Sequence, residues 1–268
     1  MIDLSINTEQ VREILTDFIR SETQKAGYSR AVINLSGGID SAVSCVLATQ
    51  ALGAENVLAL RLPYTTSSQD SLDHAQMLID KLNILSKTFP IAGMVDPIIS
   101  LSPNMSKTRK GNIMARVRMI AAYDQSAEFE GLVIGTGNKT EILLGYSTIH
   151  GDSACAMNPI GDLYKTQLRQ LAGALDIPKV IIDKPPSADL WKGQTDEGEL
   201  GFTYDKVDRL LYLLVDMGYK PSDCTKEGFE GEFIDRVTNR IQRYQFKRSL
   251  PPIAKVSRNA VDLENLKF

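Results

Sequence analysis

Ser36-Gly37-Gly38-Ile39-Asp40-Ser41 decides the reading of this chain, because of what stands on either side of it. Ahead of it runs Ala31-Val32-Ile33-Asn34-Leu35, short and mostly apolar, the pattern of a buried strand. Behind it Ala42 to Thr49 reads as a helix. Two adjacent glycines at a strand-to-helix turn let the backbone approach an anion closely. The first N–H groups of the helix then point at that anion, with the helix dipole behind them. Ser36 and Ser41 add hydroxyl donors, and Asp40 is a hard oxygen ligand suited to Mg²⁺. The stretch from Ser36 to Ser41 therefore reads as a grip on a polyphosphate. It lacks the Gly-Lys-Ser/Thr ending of the common nucleotide loop, so it is a different device.

Working outward, Asn7 reads as a helix cap, with Gln10 three residues on. Val11, Ile14, Leu15, Phe18 and Ile19 follow at helical spacing up to Gly27. Asn56–Leu62, Ile84–Phe89 and Gly131–Gly135 read as further buried strands. Between them fall a helix with Leu72, Ala75, Ile79 and Leu82 on one face and a long one with Ile113, Val117, Ile120 and Ala121. Such alternation predicts an α/β fold: one domain over 1–268, a doubly wound parallel sheet with helices on both faces. Ligands bind such sheets beyond the carboxyl ends of the strands. That gathers Ser36–Ser41, Arg61–Tyr64 and Thr136–Glu141 along one edge. The stretch Lys184–Phe202, rich in Pro, Gly and charge and holding the sole tryptophan, Trp191, reads as a long surface loop of the lid kind. Val207, Leu210, Leu211, Leu214 and Val215 mark one more amphipathic helix, and Phe229–Phe246 a last one.

Of the 268 residues 43% are apolar and 24% charged, as in ordinary globular proteins. A formal charge of −3 gives no bulk attraction to nucleic acid or membrane. Cys45, Cys155 and Cys224 lie far apart, which fits a reducing compartment, and with two histidines a zinc site is disfavoured. No signal peptide is visible, and no apolar run reaches the ~20 residues of a membrane helix, so a cytoplasmic protein is expected.

Four further stretches narrow the reading: Gly111–Met119; Gly135-Thr136-Gly137-Asn138-Lys139-Thr140-Glu141; His150-Gly151-Asp152 with Asn158-Pro159-Ile160-Gly161-Asp162-Leu163-Tyr164-Lys165-Thr166; and Gln194–Gly201. The first loop resembles the pyrophosphate loop of the ATP pyrophosphatases. Together with the other four, in this order, the chain resembles the NAD synthetases from about Asn7 to Pro251. The resemblance implies an adenine nucleotide alpha hydrolase-like fold and a two-step reaction. The nicotinate carboxylate of deamido-NAD attacks the α-phosphorus of ATP, and ammonia then displaces AMP from the adenylate.

It also implies roles, residue by residue. Asp40 and Glu141 match the Mg²⁺ ligands. Asn34, Leu35, Ser36, Gly37, Gly38, Ile39, Asp40, Ser41, Arg61, Thr136, Lys165 and Ser187 fall at ATP-binding positions, and Arg116, Phe246 and Lys247 at positions for deamido-NAD. Asp40, Lys165 and Asp152 are the expected catalytic side chains, Asp152 beside the path of ammonia. Arg118, two residues beyond Arg116, is expected to face elsewhere in a structural ion pair. Ile149, Ala156 and Phe246 depart from the family pattern, which shifts the weight of dinucleotide binding to Arg116, Lys247 and apolar stacking. The resemblance further implies a homodimer. The stretch ahead of the loop is too short for a glutamine-hydrolysing domain, so ammonia is expected to come free or from a separate protein. The competing readings are another ATP pyrophosphatase, GMP synthetase-like or tRNA-thiolating, and a nucleotide-binding regulator without catalysis.

Overall fold

Among the described residues four short strands pair in parallel, in the order β3-β2-β1-β4: β1 (Arg30–Asn34), β2 (Val57–Arg61), β3 (Leu85–Thr88) and β4 (Gly131–Ile134). Ala31 lies opposite Val57 on one side and Leu132 on the other, which sets the register of the centre. This is a computed structural model describing residues 2–191, 193–254 and 256. Helices fill the connections: α1 (Thr8–Lys25), α2 (Ile39–Leu52), α3 (Gln69–Leu82), α4 (Ala92–Ser100), α5 (Lys107–Phe129), α6 (Lys139–Leu144), α7 (Lys165–Ala174), α8 (Lys179–Ile182), α9 (Asp196–Leu200), α10 (Tyr204–Leu211), α11 (Pro221–Cys224) and α12 (Gly231–Arg243). None is long and apolar enough to cross a membrane.

Successive strand side chains point to opposite faces, and here both sets are apolar. Ala31, Ile33, Val57 and Ala59 enter one core with α1, α2, α3 and α7; Val32, Leu58, Leu60 and Val133 enter a second with α4 and α5. Each fully buried Val, Ile or Leu side chain stabilises by about 1.5–3 kcal/mol, a gain that both faces collect only under two helical layers. A third cluster joins Leu144 of α6 and Tyr164 to α10, α11 and α12.

The structure corrects several element readings. β3 is an edge strand: it pairs only with β2, and Leu85 is 48% exposed rather than buried. The helix α4, with Pro97 inside it, was not foreseen. On α5 the buried face is Gly111, Met114, Val117, Ala122 and Gln125, while Ile120 is 57% exposed. After α10 the chain makes a π-turn over Tyr212–Asp216, whose extra residue per turn rotates the apolar stripe. Leu213 is therefore buried and Val215 exposed. Lys184–Phe202 is not loop throughout, since α9 forms within it behind the cap Thr195, whose hydroxyl accepts from Gly198 N–H. Lys192 of that stretch lies outside the described residues.

Candidate functional site

The strand order reverses between β1 and β4, and a crevice opens where their following loops part. Gly37 shapes the first of these loops. Its φ is +76°, and a Cβ there would collide with the backbone carbonyl of Ser71 at the start of α3. Ser41 ties the loop to itself: its Oγ lies 3.1 Å from Ser36 Oγ and accepts from Ser36 N–H at 3.2 Å. The second loop ends in a capping box, with Asn138 Oδ1 accepting from Glu141 N–H at 3.0 Å and Glu141 Oε2 accepting from Asn138 N–H at 3.4 Å. That box fixes where Glu141 stands.

The two loops meet through charge. Asp40 accepts from Asn138 Nδ2 at 2.8 Å and from the Lys165 ammonium, whose Nζ is also 3.4 Å from Glu141 Oε1. Lys165 is only 1% exposed and sits 5.2 Å from the centre of the Tyr204 ring. Burial alone would neutralise a lysine, but the Asp40 and Glu141 carboxylates hold it protonated, above the ordinary lysine range. For Glu141 the balance tips the other way. Burial, reinforced by the charge of Asp40, pushes it up to about 8.

These groups line a cavity of about 650 Å³. Asn34, Leu35, Ser36, Gly38, Ile39, Asp40, Ser41, Arg61, Thr136, Glu141, Asp152, Lys165, Ser187 and Lys247 all face it. Gly37 supports the loop from behind. A smaller cavity of about 250 Å³ adjoins it and shares Thr136, Glu141, Asp152 and Lys247. Asp152 stands between the two, accepting from Thr148 N–H at 2.8 Å; its recessed position raises its affinity for a proton. Lys247 Nζ donates to the carbonyls of Gly145 and Ser147, and burial lowers its pKa.

Two expected contacts lie elsewhere. Arg116 is exposed outside the cavity lining, its guanidinium donating to Ile149 O at 3.3 Å. Phe246 is 61% exposed and also outside. Arg118 instead faces the cavity, with Nε donating to Leu62 O at 3.1 Å; burial lowers its pKa, and the charges of Asp189 and Asp152 oppose that fall. Among the described residues it makes no direct ion pair, which corrects the sequence reading. Asn138 was also missed as a site residue, although it stands inside a quoted motif; its cap position at the start of a helix was the available signal.

The cavity is covered by residues 184–191. Asp189 Oδ2 accepts from Ser68 N–H and Ser71 Oγ, both at 3.0 Å, at the start of α3. Lys184 Nζ donates to Ser71 Oγ at 2.7 Å, and Thr66 Oγ1 to Leu190 O at 3.2 Å. Leu190 packs on Gly111, where a Cβ would stand 2.8 Å from Leu190 Cδ1. Leu190 thus gives the loop a packing face.

Asp40 and Glu141 fit a Mg²⁺ ion. Both are hard carboxylates at the cavity wall, and burial together with the neighbouring Asp40 charge raises the pKa of Glu141. Among the described residues no cluster of three or more metal-ligating side chains competes. Mg²⁺ is commonly held by one or two carboxylates and completed by phosphate and water.

The sequence model of NAD synthase matches residues 11–251. The NH(3)-dependent NAD(+) synthetase of Chlorobaculum parvum is 52% identical over 255 residues, 95% of this chain and 92% of that protein. Among solved structures, NH3-dependent NAD synthetase from Campylobacter jejuni superposes with a TM-score of 0.80 at 36% identity, over 93% of this chain and all of that one. NMN synthetase from Francisella tularensis gives 0.83 at 33% identity, over 93% and 99%.

Proposed function

The chain belongs to the NAD synthase family, and from that premise we propose that it amidates deamido-NAD to NAD, spending ATP to AMP and pyrophosphate and taking free ammonia. It is a ligase. The observation that carries this reading is the meeting of Asp40, Glu141 and Lys165 at the mouth of the Ser36–Ser41 loop, inside one cavity.

A carboxylate is a poor electrophile toward ammonia, so it is first joined to the α-phosphorus of ATP; ammonia then attacks the activated carbonyl and AMP leaves. Catalysis of this kind rests on positioning and on charge neutralisation. The backbone N–H groups at the start of α2 and the hydroxyls of Ser36 and Ser41 hold the departing pyrophosphate. Lys165, kept protonated and almost fully buried, follows the charge that develops on the phosphate oxygens. Asp40 and Glu141 would hold Mg²⁺, which when bound neutralises the phosphates. Arg61 and Ser187 bind the nucleotide. Asp152, recessed and with raised proton affinity, takes the proton that ammonia sheds. The cover 184–191 keeps water from the adenylate.

Ammonia rather than glutamine is the nitrogen source. Burial raises the pKa of all three thiols, Cys45 to about 12, so none is poised as a thiolate. The protein acts in the cytoplasm as a homodimer. Supporting the second point, the packed pair α4 and α5 leaves Met94, Ile98, Leu101, Ile120 and Tyr123 exposed. A coupled assay tests the reading: purified protein, ATP, Mg²⁺ and ammonium, with deamido-NAD and, because one relative bears the name NMN synthetase, with nicotinic acid mononucleotide in parallel. AMP released in step with NAD supports it. Turnover of the mononucleotide alone would reassign the acceptor, and robust turnover with ammonia-free glutamine would refute the ammonia assignment.

A further inference from the structure

Beneath the charged trio lies a second polar layer that the chemistry above does not use. Asp208 of α10 and Thr140 of α6 are both 0% exposed. Asp208 Oδ1 accepts from Thr140 Oγ1 at 2.6 Å, and Asp208 Oδ2 accepts from Thr166 N–H at 2.9 Å. Thr140 Oγ1 in turn accepts from Lys165 N–H at 3.0 Å. One carboxylate and one hydroxyl thus satisfy the first two N–H groups of α7.

That helix starts badly by its own sequence. Its first residue is a lysine, a cation at the positive end of the helix dipole. Its N-cap residue is Tyr164, which has no short side-chain acceptor to turn back on the helix. The missing cap comes from two other helices. A buried carboxylate is costly unless hydrogen-bonded; here burial raises the pKa of Asp208, and the Thr140 and Thr166 hydrogen bonds oppose that rise. The same bonds tie α6, which carries Glu141, to the residue that carries the ammonium.

We propose that Thr140 and Asp208 are positioning residues: together they cap α7 from outside and set Lys165 against Asp40 and Glu141. This deepens the adenylating role assigned above to Lys165 and rests on it. Neither residue lines the cavity, so both act through Lys165.

The test compares Thr140→Val, which keeps shape but loses the hydroxyl, with Thr140→Ser, which keeps the hydroxyl, and with Asp208→Asn. Thr140→Val should lower kcat by about 10- to 100-fold, the scale for supporting partners of an active-site group, with KM for ammonium unchanged and melting within a few degrees of wild type. Thr140→Ser should restore most of the rate. ATP affinity, read by calorimetry without turnover, closes a double-mutant cycle: Thr140→Val should weaken binding in the wild-type chain and add nothing in the Lys165→Ala chain. If Thr140→Val does not fold, Asp208→Asn enters the same cycle. Unchanged kcat and affinity, equal losses in the Val and Ser variants, or full additivity on Lys165→Ala would each overturn the proposal. A wild-type chain that binds ATP but makes no NAD would instead sink the functional reading, and the binding cycle would still decide the positioning role.

Discussion

Lys165 is held from beneath by Asp40, Glu141 and the Tyr204 ring and is 1% exposed, whereas the cover over the same cavity hangs on few bonds. Asp189 reaches the start of α3, Thr66 holds Leu190 O, and Leu190 rests on Gly111. The floor is built of side chains whose partners come from α2, α6 and α10 and whose central ammonium is almost wholly buried. The cover is a stretch without regular structure tied by partly exposed contacts. Electrostatic stabilisation requires donors already in place when charge develops, and a substrate must still be able to enter, so rigidity belongs below and a low barrier to opening above.

If that division is right, damage to the floor should cost far more than damage to the cover. Asp40→Asn should lower kcat by about 10²–10³ while leaving the fold intact, since an electrostatic contributor is lost without a change of volume. Turnover near wild type at saturating Mg²⁺ would erase the distinction. Asp189→Ala should act on the cover alone. The carboxylate bonded to Ser68 and Ser71 is partly exposed, so its loss should weaken ATP binding about fivefold to tenfold, with kcat nearly unchanged. A kcat loss matching that of Asp40→Asn would show the cover to be part of the catalytic frame. Trp191, the sole tryptophan, lines the cavity, and its fluorescence should change when ATP and deamido-NAD bind together.

The smallest effect concerns the pH dependence of stability. Glu141 is raised from 4.5 to about 8, mainly by burial. The folded chain therefore binds more protons there than the unfolded chain between those values, and its stability should fall as pH rises across that window. Glu141→Gln should flatten the fall in ligand-free protein, as thermal unfolding at a series of pH values would reveal. An unchanged slope would mean that Glu141 is already ionised in the ligand-free protein.

The two regions also differ in how far the sequence discloses them. Ser36–Ser41 and Gly135–Glu141 are legible because local rules govern them: a strand, a turn needing positive φ at Gly37, then a helix cap at Asn138. The doubly wound sheet follows from the same apolar runs. What was misread depends on distant partners. Arg116 and Arg118 differ only by which side of α5 the fold turns inward. Val215 is exposed because a π-turn breaks the 3.6-residue repeat, and Leu85 because, among the described residues, β3 stands at the sheet edge. The cover reads as featureless polar chain until Gly111, far away in sequence, provides the seat for Leu190. The catalytic floor is local chemistry brought together, and the cover is tertiary.

The account stands most directly on which phosphorus the carboxylate attacks. Deamido-NAD labelled with heavy oxygen in its nicotinate carboxylate should, on turnover with ATP and ammonium, pass one labelled oxygen to the phosphate of AMP and none to pyrophosphate, because the adenylate is cleaved on the carbonyl side by ammonia. Label in pyrophosphate, or AMP free of label while NAD accumulates, would contradict activation at the α-phosphorus in this site.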